Sequence, residues 1–305
     1  MQIDFNGRVA IVTGAGGGLG REHALALAAR GAKVVINDFG RPASGTETIT
    51  AADAVVKEIL SAGGQAIVSH ASVTDETAIR ETVAEAMSKW GRVDILINNA
   101  GILRDQSFTK MNLDDFRLVM EVHLMGAVIC TKAVWDIMRA QNYGRIVMTT
   151  SSSGLFGNFG QSNYGAAKMA LVGLMQTLSI EGAKHDIRVN CLAPTAATQM
   201  TQGLWPDQVL KAFRPEFVTP AVVVLAAQDA PNRTILCAGA GTFEAAHITM
   251  AGGAWVGNDE QTAEHLRERL TEVTDRTGSV VPKSAEAQGV NEGTKALAAI
   301  GDTNE

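Results

Sequence analysis

Six short runs of β-branched and aliphatic residues punctuate the first two thirds of this 305-residue chain: RVAIVT (8–13), KVVIND (33–38), QAIVSH (65–70), VDILINN (93–99), GRIVMTT (144–150) and IRVNCLA (187–193). A weaker one lies near TFEAAHITM (242–250). The runs are apolar on successive residues and do not alternate with polar ones. That is the pattern of strands buried on both faces, which only a parallel sheet covered by helices provides. The intervening stretches 19–30, 50–62, 75–90, 113–140 and 163–184 have helical periodicity. The order β-α-β-α-β predicts an α/β fold, a doubly wound parallel sheet with right-handed crossovers. Such a sheet binds its ligand beyond the carboxyl ends of the strands, where the strand order reverses.

Composition narrows the functions open to this fold. A net charge of −6 gives no electrostatic footprint for nucleic acid. Cys130, Cys191 and Cys237 are odd in number and far apart, as reduced cysteines of a cytoplasmic protein are. The start MQIDFNGRVAIVTG has no signal-peptide layout, and no apolar run is expected to span or bind a membrane. His23, His70, His185, His247 and His265 are scattered, with no His-x-x-His or Cys-x-x-Cys pair, so no metal is expected. A main domain is drawn over 1–258 and a C-terminal extension over 259–305. Within the extension 260–273 can form an amphipathic helix, and 277–294 is expected to be loose.

Between the first strand and the first helix stands TGAGGGLG, with Thr13, Gly14, Gly18, Leu19 and Gly20, and the second strand ends in Asp38. Glycines let a backbone approach a pyrophosphate, and a helix N-terminus offers it free N–H groups. A carboxylate at the end of the next strand accepts hydrogen bonds from an adenosine ribose and repels a 2′-phosphate, which favours NAD over NADP. The competing reading is a tight turn and a solvated aspartate.

Tyr164 is one of two tyrosines, and Lys168 follows it by four residues. On a helix both share a face. Alone, the pair is as readily a surface coincidence.

Together these features resemble the short-chain dehydrogenase/reductase family over roughly 5–258: the T-G-x-x-x-G-x-G turn, NNAG at 98–101, and SSSGLFGNFGQSNYGAAK at 151–168. The resemblance implies a single Rossmann-type domain, a nicotinamide cofactor and hydride transfer at a secondary alcohol. It makes Tyr164 the general acid/base and Lys168 the cation that lowers its pKa and binds the nicotinamide ribose. It makes Ser151 the holder of the substrate oxygen, with Ser152 and Ser153 one and two residues out of register. Asn99, Gly101, Ser72, Val73, Pro194 and Thr198 match further cofactor positions of the family. Ala71 stands where many members have an adenine-binding aspartate, and Thr195 replaces a common glycine.

His123 occupies the place of the family's usual asparagine. It is either a packed core residue or the holder of a water beside Lys168. With GILRDQSF (101–108) and LAPTAATQMT (192–201), it resembles the dehydrogenase domain of the peroxisomal multifunctional enzymes of β-oxidation. That subgroup oxidises (3R)-3-hydroxyacyl-CoA thioesters and 17β-hydroxysteroids. The expected function is therefore an NAD-dependent 3-hydroxyacyl-CoA dehydrogenase, with a 17β-hydroxysteroid dehydrogenase and a non-catalytic NAD-sensing protein as alternatives. Arg41, Arg104 and Lys110 are candidate cations for CoA, and 198–213, with Met200, Leu204 and Trp205, is a candidate substrate lid. The apolar faces of 113–140 and 163–184 lead us to expect a homodimer or homotetramer.

Overall fold

The computed structural model describes residues 2–40, 50–197 and 207–302. The six apolar runs form β1 (Val9–Thr13), β2 (Lys33–Asn37), β3 (Gln65–Ser69), β4 (Ile95–Asn98), β5 (Gly144–Thr149) and β6 (Ile187–Thr195), all paired in parallel. Two further strands, β7 (Ile235–Gly239) and β8 (Thr242–Ala246), complete an eight-stranded sheet of order β3-β2-β1-β4-β5-β6-β7-β8. The weaker strand expected over 242–250 is β8, and β7 before it was not expected. The chain turns between them at Ala240 and Gly241, whose φ of 51° and 75° suit a two-residue hairpin turn. The strand order reverses where β1 and β4 lie side by side, Ala10 opposite Ile95.

Helices α1 (Gly18–Ala28), α2 (Ala51–Ser61), α3 (Glu76–Trp90), α4 (Leu113–Met120), α5 (Gly126–Gln141), α6 (Ser152–Phe156), α7 (Ser162–Gly182), α8 (Asp207–Ala212) and α9 (Thr219–Ala226) follow the strands. One layer packs Leu27, Val55 and Val222 of α1, α2 and α9 on Val12, Val34 and Ile97. The alternate strand residues Ile11 and Leu96 face Ile79 and Val83 of α3 and Cys130 and Val134 of α5 on the other side. Successive strand residues are therefore buried in opposite layers, as the unalternating runs require.

The helix expected over 113–140 is not uniform: Glu121–Met125 forms a π turn between α4 and α5. Taken as one run, Leu113–Gln141 is 29 residues long and apolar enough to cross a membrane by length and composition, which corrects the expectation that no such run exists. Here it is a core helix, with Val119, Ala127, Cys130, Val134 and Met138 buried.

The amino ends of the strands carry a polar base. Asp94, before β4, is fully buried and accepts from the Val9 N–H at 2.9 Å, Arg8 at 3.0 Å and Arg92 at 2.6 Å. Arg145 of β5 is fully buried too. It donates to the carbonyls of Ala227 (3.0 Å), Gln228 (2.6 Å) and Asp186 (2.6 Å) and pairs with the Asp186 carboxylate at 3.0 Å. The guanidinium groups of Arg8 and Arg145 both lie over the Tyr143 ring, at 3.6 and 4.2 Å.

The chain divides into two compact units, Met1–Ala245 and Ala246–Glu305, ahead of the boundary drawn at 258 from composition. The second unit contains α10 (Thr262–Glu268), α11 (Leu270–Val273) and α12 (Glu286–Asp302). Most of 260–273 is helical as expected, whereas α12 takes in much of the stretch expected to be loose.

Candidate active site

A cleft of about 530 Å³ opens at the carboxyl ends of the strands, across the reversal between β1 and β4. Its lining includes Gly14, Gly18, Leu19, Asp38, Ser72, Val73, Asn99, Gly101, His123, Tyr164, Lys168 and Pro194. Sequence reasoning missed Phe39, Ile102, Val122 and Thr149, which line it as well. Thr149 ends β5, so position alone pointed to it. Thr198, Met200, Leu204, Trp205 and Arg41 lie outside the described residues.

The glycine turn is shaped by close backbone approach. Gly14 has φ +62°, and a Cβ there would stand 2.9 Å from the Ala100 Cα. Gly20 does not line the cleft. A Cβ on it would meet the Gly14 carbonyl oxygen at 2.1 Å, so its role is to let α1 pack against the turn. The N-terminus of α1 carries no side-chain cap, and the space around Gly17 is open. Free N–H groups at that end suit a phosphate. Asn99 braces the turn, its side-chain amide donating to the carbonyls of Thr13 (3.0 Å) and Gly14 (3.1 Å). Asp38 is held at the rim by the N–H groups of Gly16 and Gly40, each at 2.8 Å, one on each carboxylate oxygen. The Ser72 hydroxyl pairs with Thr74 at 2.8 Å. The uncapped helix end, the fixed carboxylate and a buried Thr149 hydroxyl without a partner among the described residues fit a dinucleotide.

Tyr164 and Lys168 share a face of α7, with the Lys168 Nζ 5.5 Å from the Tyr164 ring centroid. Lys168 is buried and donates to the Thr149 carbonyl at 2.6 Å. Burial pulls its pKa down from 10.5 to about 7. Ser151 caps α6, accepting the Ser153 N–H at 3.1 Å, and its side chain lies near enough to the Tyr164 phenol to favour the anion. Ser153 instead donates to Gln161 at 2.7 Å.

The phenol corrects one expectation. Its pKa is raised above 10 by burial, with Ser151 opposing and the Asp105 charge adding to the rise. Lys168 is not what sets the direction in the apo site. Its Nζ is turned to the Thr149 carbonyl, and its own charge is weakened by desolvation.

His123 sits in the π turn, where one extra residue shifts the backbone ladder. Its ring packs edge-on against Tyr164, with centroids 5.2 Å apart. Nε2 lies 2.8 Å from the Ile102 carbonyl and 3.0 Å from the Ile102 N–H; the tautomer decides whether it donates or accepts. Nδ1 is buried without a partner among the described residues. Burial first, and then the Lys168 charge, lower the ring's pKa to about 3, so it is neutral near pH 7. Beside it a cavity of about 10 Å³, the size of one water, is lined by His123, Lys168 and Asn98. The Asn98 Oδ1 is unpartnered too.

A dinucleotide cleft on a doubly wound sheet, with serine, tyrosine and lysine converging at one end, defines an oxidoreductase acting on CH–OH groups. The family model described as short chain dehydrogenase matches residues 8–209, and the chain belongs to that family. It is 46 % identical over 279 residues to peroxisomal multifunctional enzyme type 2 of Drosophila melanogaster, covering 90 % of this chain and 46 % of that one. The solved structure of that full-length protein superposes with a TM-score of 0.81, at 38 % identity, over 98 % of this chain and 51 % of that one. Peroxisomal hydratase-dehydrogenase-epimerase of Saccharomyces cerevisiae is 45 % identical over 277 residues, which is 90 % of this chain and 31 % of the yeast protein. The chain thus spans about half the length of the Drosophila protein and about a third of the yeast one. A 7α-hydroxysteroid dehydrogenase complexed with NADH and 7-oxo glycochenodeoxycholic acid matches with a TM-score of 0.70 and 29 % identity, over 78 % of this chain and 95 % of that one.

Proposed function

We propose that this chain is an NAD-dependent dehydrogenase that oxidises the hydroxyl of a 3-hydroxyacyl-CoA. The observation that carries the chemistry is that Tyr164 and Lys168 line the cleft together, with the Lys168 Nζ 5.5 Å from the phenol ring and Ser151 acting on the phenol. The substrate reading rests on the identity to proteins named as peroxisomal multifunctional and hydratase-dehydrogenase enzymes. The preference for NAD over NADP rests on Asp38, whose fixed carboxylate at the end of β2 lines the cleft and would repel a 2′-phosphate.

A nicotinamide cofactor held along the glycine turn and Asp38 would supply the acceptor for the hydride of the carbinol carbon. Ser151 donates to the substrate oxygen and holds it beside the phenol. Tyr164 accepts the hydroxyl proton in oxidation and returns it in reduction. Lys168 is the nearest cation to the phenolate formed in that step. His123 and Asn98 hold one water against Lys168 through their unpartnered atoms, which gives the proton an exit inward. We read the exposed apolar residues Leu118 and Met125 on the α4–α5 run and Met169 and Ile180 on α7 as faces of a homo-oligomer.

A hydroxysteroid ring alcohol is the second substrate reading, favoured by the match to the 7α-hydroxysteroid dehydrogenase. NADH formation with a (3R)-3-hydroxyacyl-CoA and, in parallel, a 17β-hydroxysteroid decides between them. Turnover confined to the steroid would reject the acyl-CoA reading. Tyr164→Phe is expected to abolish turnover with either substrate while NADH still binds. A Tyr164→Phe protein with ordinary kcat would remove Tyr164 from the chemistry.

A further inference from the structure

Two loops meet at the amino end of α7, the helix that carries Tyr164. The Gln106 N–H donates to the Gly160 carbonyl at 2.9 Å. Asn163, fully buried, donates to the Arg104 carbonyl at 3.0 Å and accepts the Tyr164 N–H at 2.7 Å. Gln161, the residue before α7, has its carbonyl oxygen engaged by Ser153 at 2.7 Å and Asn158 at 2.9 Å. Its amide nitrogen therefore points outward, and it donates to the Asp105 Oδ2 at 2.6 Å. Six hydrogen bonds, the last of them to the carboxylate itself, thus hold Asp105 at the amino end of the Tyr164 helix. Asp105 Oδ1 has no partner among the described residues.

The groups around the phenol leave that charge unbalanced. Lys168, on the same helix, is drawn inward to the Thr149 carbonyl. His123 of the π turn is neutral near pH 7. Ser151 of α6 carries no charge. Arg104, next in sequence to Asp105, is turned toward Asp115 at 3.5 Å and caps the Leu103 carbonyl at 2.8 Å. Asp105 itself acts on the phenol, disfavouring its anion.

A 3-hydroxyacyl chain with its C3 oxygen at Tyr164 has C1 two carbons away. In a thioester C1 is a neutral carbonyl. In a free 3-hydroxy acid it is a carboxylate, and the cation next to Asp105 among the described residues, Arg104, is engaged by Asp115 and the Leu103 carbonyl. We propose that Asp105 is a specificity-determining residue: held by Gln161 at the amino end of the Tyr164 helix, its carboxylate repels free 3-hydroxy acids and restricts oxidation to uncharged 3-hydroxyacyl derivatives. The proposal rests on the 3-hydroxyacyl reading above.

The test measures kcat/KM with NAD for free 3-hydroxybutyrate and for its N-acetylcysteamine thioester, which lacks the phosphates of CoA. Asp105→Asn keeps an acceptor for Gln161 and removes the charge. It is expected to raise the acid-to-thioester ratio about tenfold at low salt, an effect that shrinks at about 0.5 M salt. Asp105→Glu should keep the original ratio. An unchanged ratio in Asp105→Asn, or a gain that salt does not screen, overturns the proposal. A substrate-free readout separates this from failure of the substrate reading. The ultraviolet titration component missing in Tyr164→Phe should move to lower pH in Asp105→Asn. If that component stays put, the charge does not reach the phenol and the proposal falls. If it moves but the wild type oxidises neither acyl compound, the 3-hydroxyacyl reading is what has failed.

Discussion

Gly101→Ala tests how His123 is seated. A Cβ at Gly101 would stand 2.2 Å from the His123 Cε1, against about 3.5 Å for an ordinary carbon contact. The ring must therefore retreat by about 1.3 Å. It cannot do so freely, because Tyr164 packs on it at 5.2 Å and Nε2 is pinned to Ile102 at 2.8 and 3.0 Å. A shift of that size breaks the Ile102 contact and strands a part-buried backbone group, at a cost of about 1–3 kcal/mol. We expect a melting temperature lower by several degrees and a kcat at least tenfold lower, since the moved ring presses on the Tyr164 phenol. The double variant Gly101→Ala/His123→Asn removes the ring that clashes. It should recover about 1–2 kcal/mol relative to the sum of the single changes. Thermal unfolding at one fixed protein concentration, with NADH-formation rates on the same samples, gives the whole cycle. Strict additivity, or a Gly101→Ala protein as stable and active as the wild type, would show that this glycine does not seat the histidine.

Asp38→Asn should shift the ratio of kcat/KM for NADP over NAD upward by about tenfold, the size of one partly screened charge against a 2′-phosphate; a flat ratio in initial-rate assays would place the discrimination elsewhere. Lys168, lowered from 10.5 to about 7 in the fold, binds fewer protons than in the unfolded chain between those two values. Its contribution to stability therefore rises with pH from about 7 to 10.5, by at most about 1.4 kcal/mol per pH unit. Denaturant unfolding across that range should show this slope in the wild type and not in Lys168→Met; equal slopes would mean the lysine is not desolvated. His123, lowered from 6.5 to about 3, acts on the acid side with the same sign. The wild type should lose stability relative to His123→Asn as pH falls from 6.5 toward 3, and parallel acid-unfolding curves would contradict that.

The sheet was legible because burial on both faces leaves a signature that no turn or exposed helix shares. β1 to β6 fall within the expected runs or within two residues of them. β7 was missed because ILCAG is short, half small residues, and only partly buried. The hairpin after it hid in the same stretch. The fourfold spacing of Tyr164 and Lys168 was readable from helix geometry alone. What His123 touches was not. Ile102 lies twenty-one residues away, and nothing in EVHLM announces a π turn. The direction of the Tyr164 shift also needed the fold, since spacing shows where the lysine stands but not that its ammonium is turned to a carbonyl. The clasp at Gln161 was equally hidden, because it depends on which side of an amide faces out. In the tail, Gly289 and Gly293 made 277–294 read as loose, yet α12 runs through both.

Arg145 and Asp94 anchor the amino ends of β5 and β4, a full strand length from where a substrate would react. The molecule thus has a foundation and a workbench at opposite ends of the same strands. A change at the workbench alters which alcohol is accepted without loosening the foundation, so substrate preference is free to drift among descendants of one scaffold. A change at the foundation shortens the working life of every variant alike, whatever it oxidises.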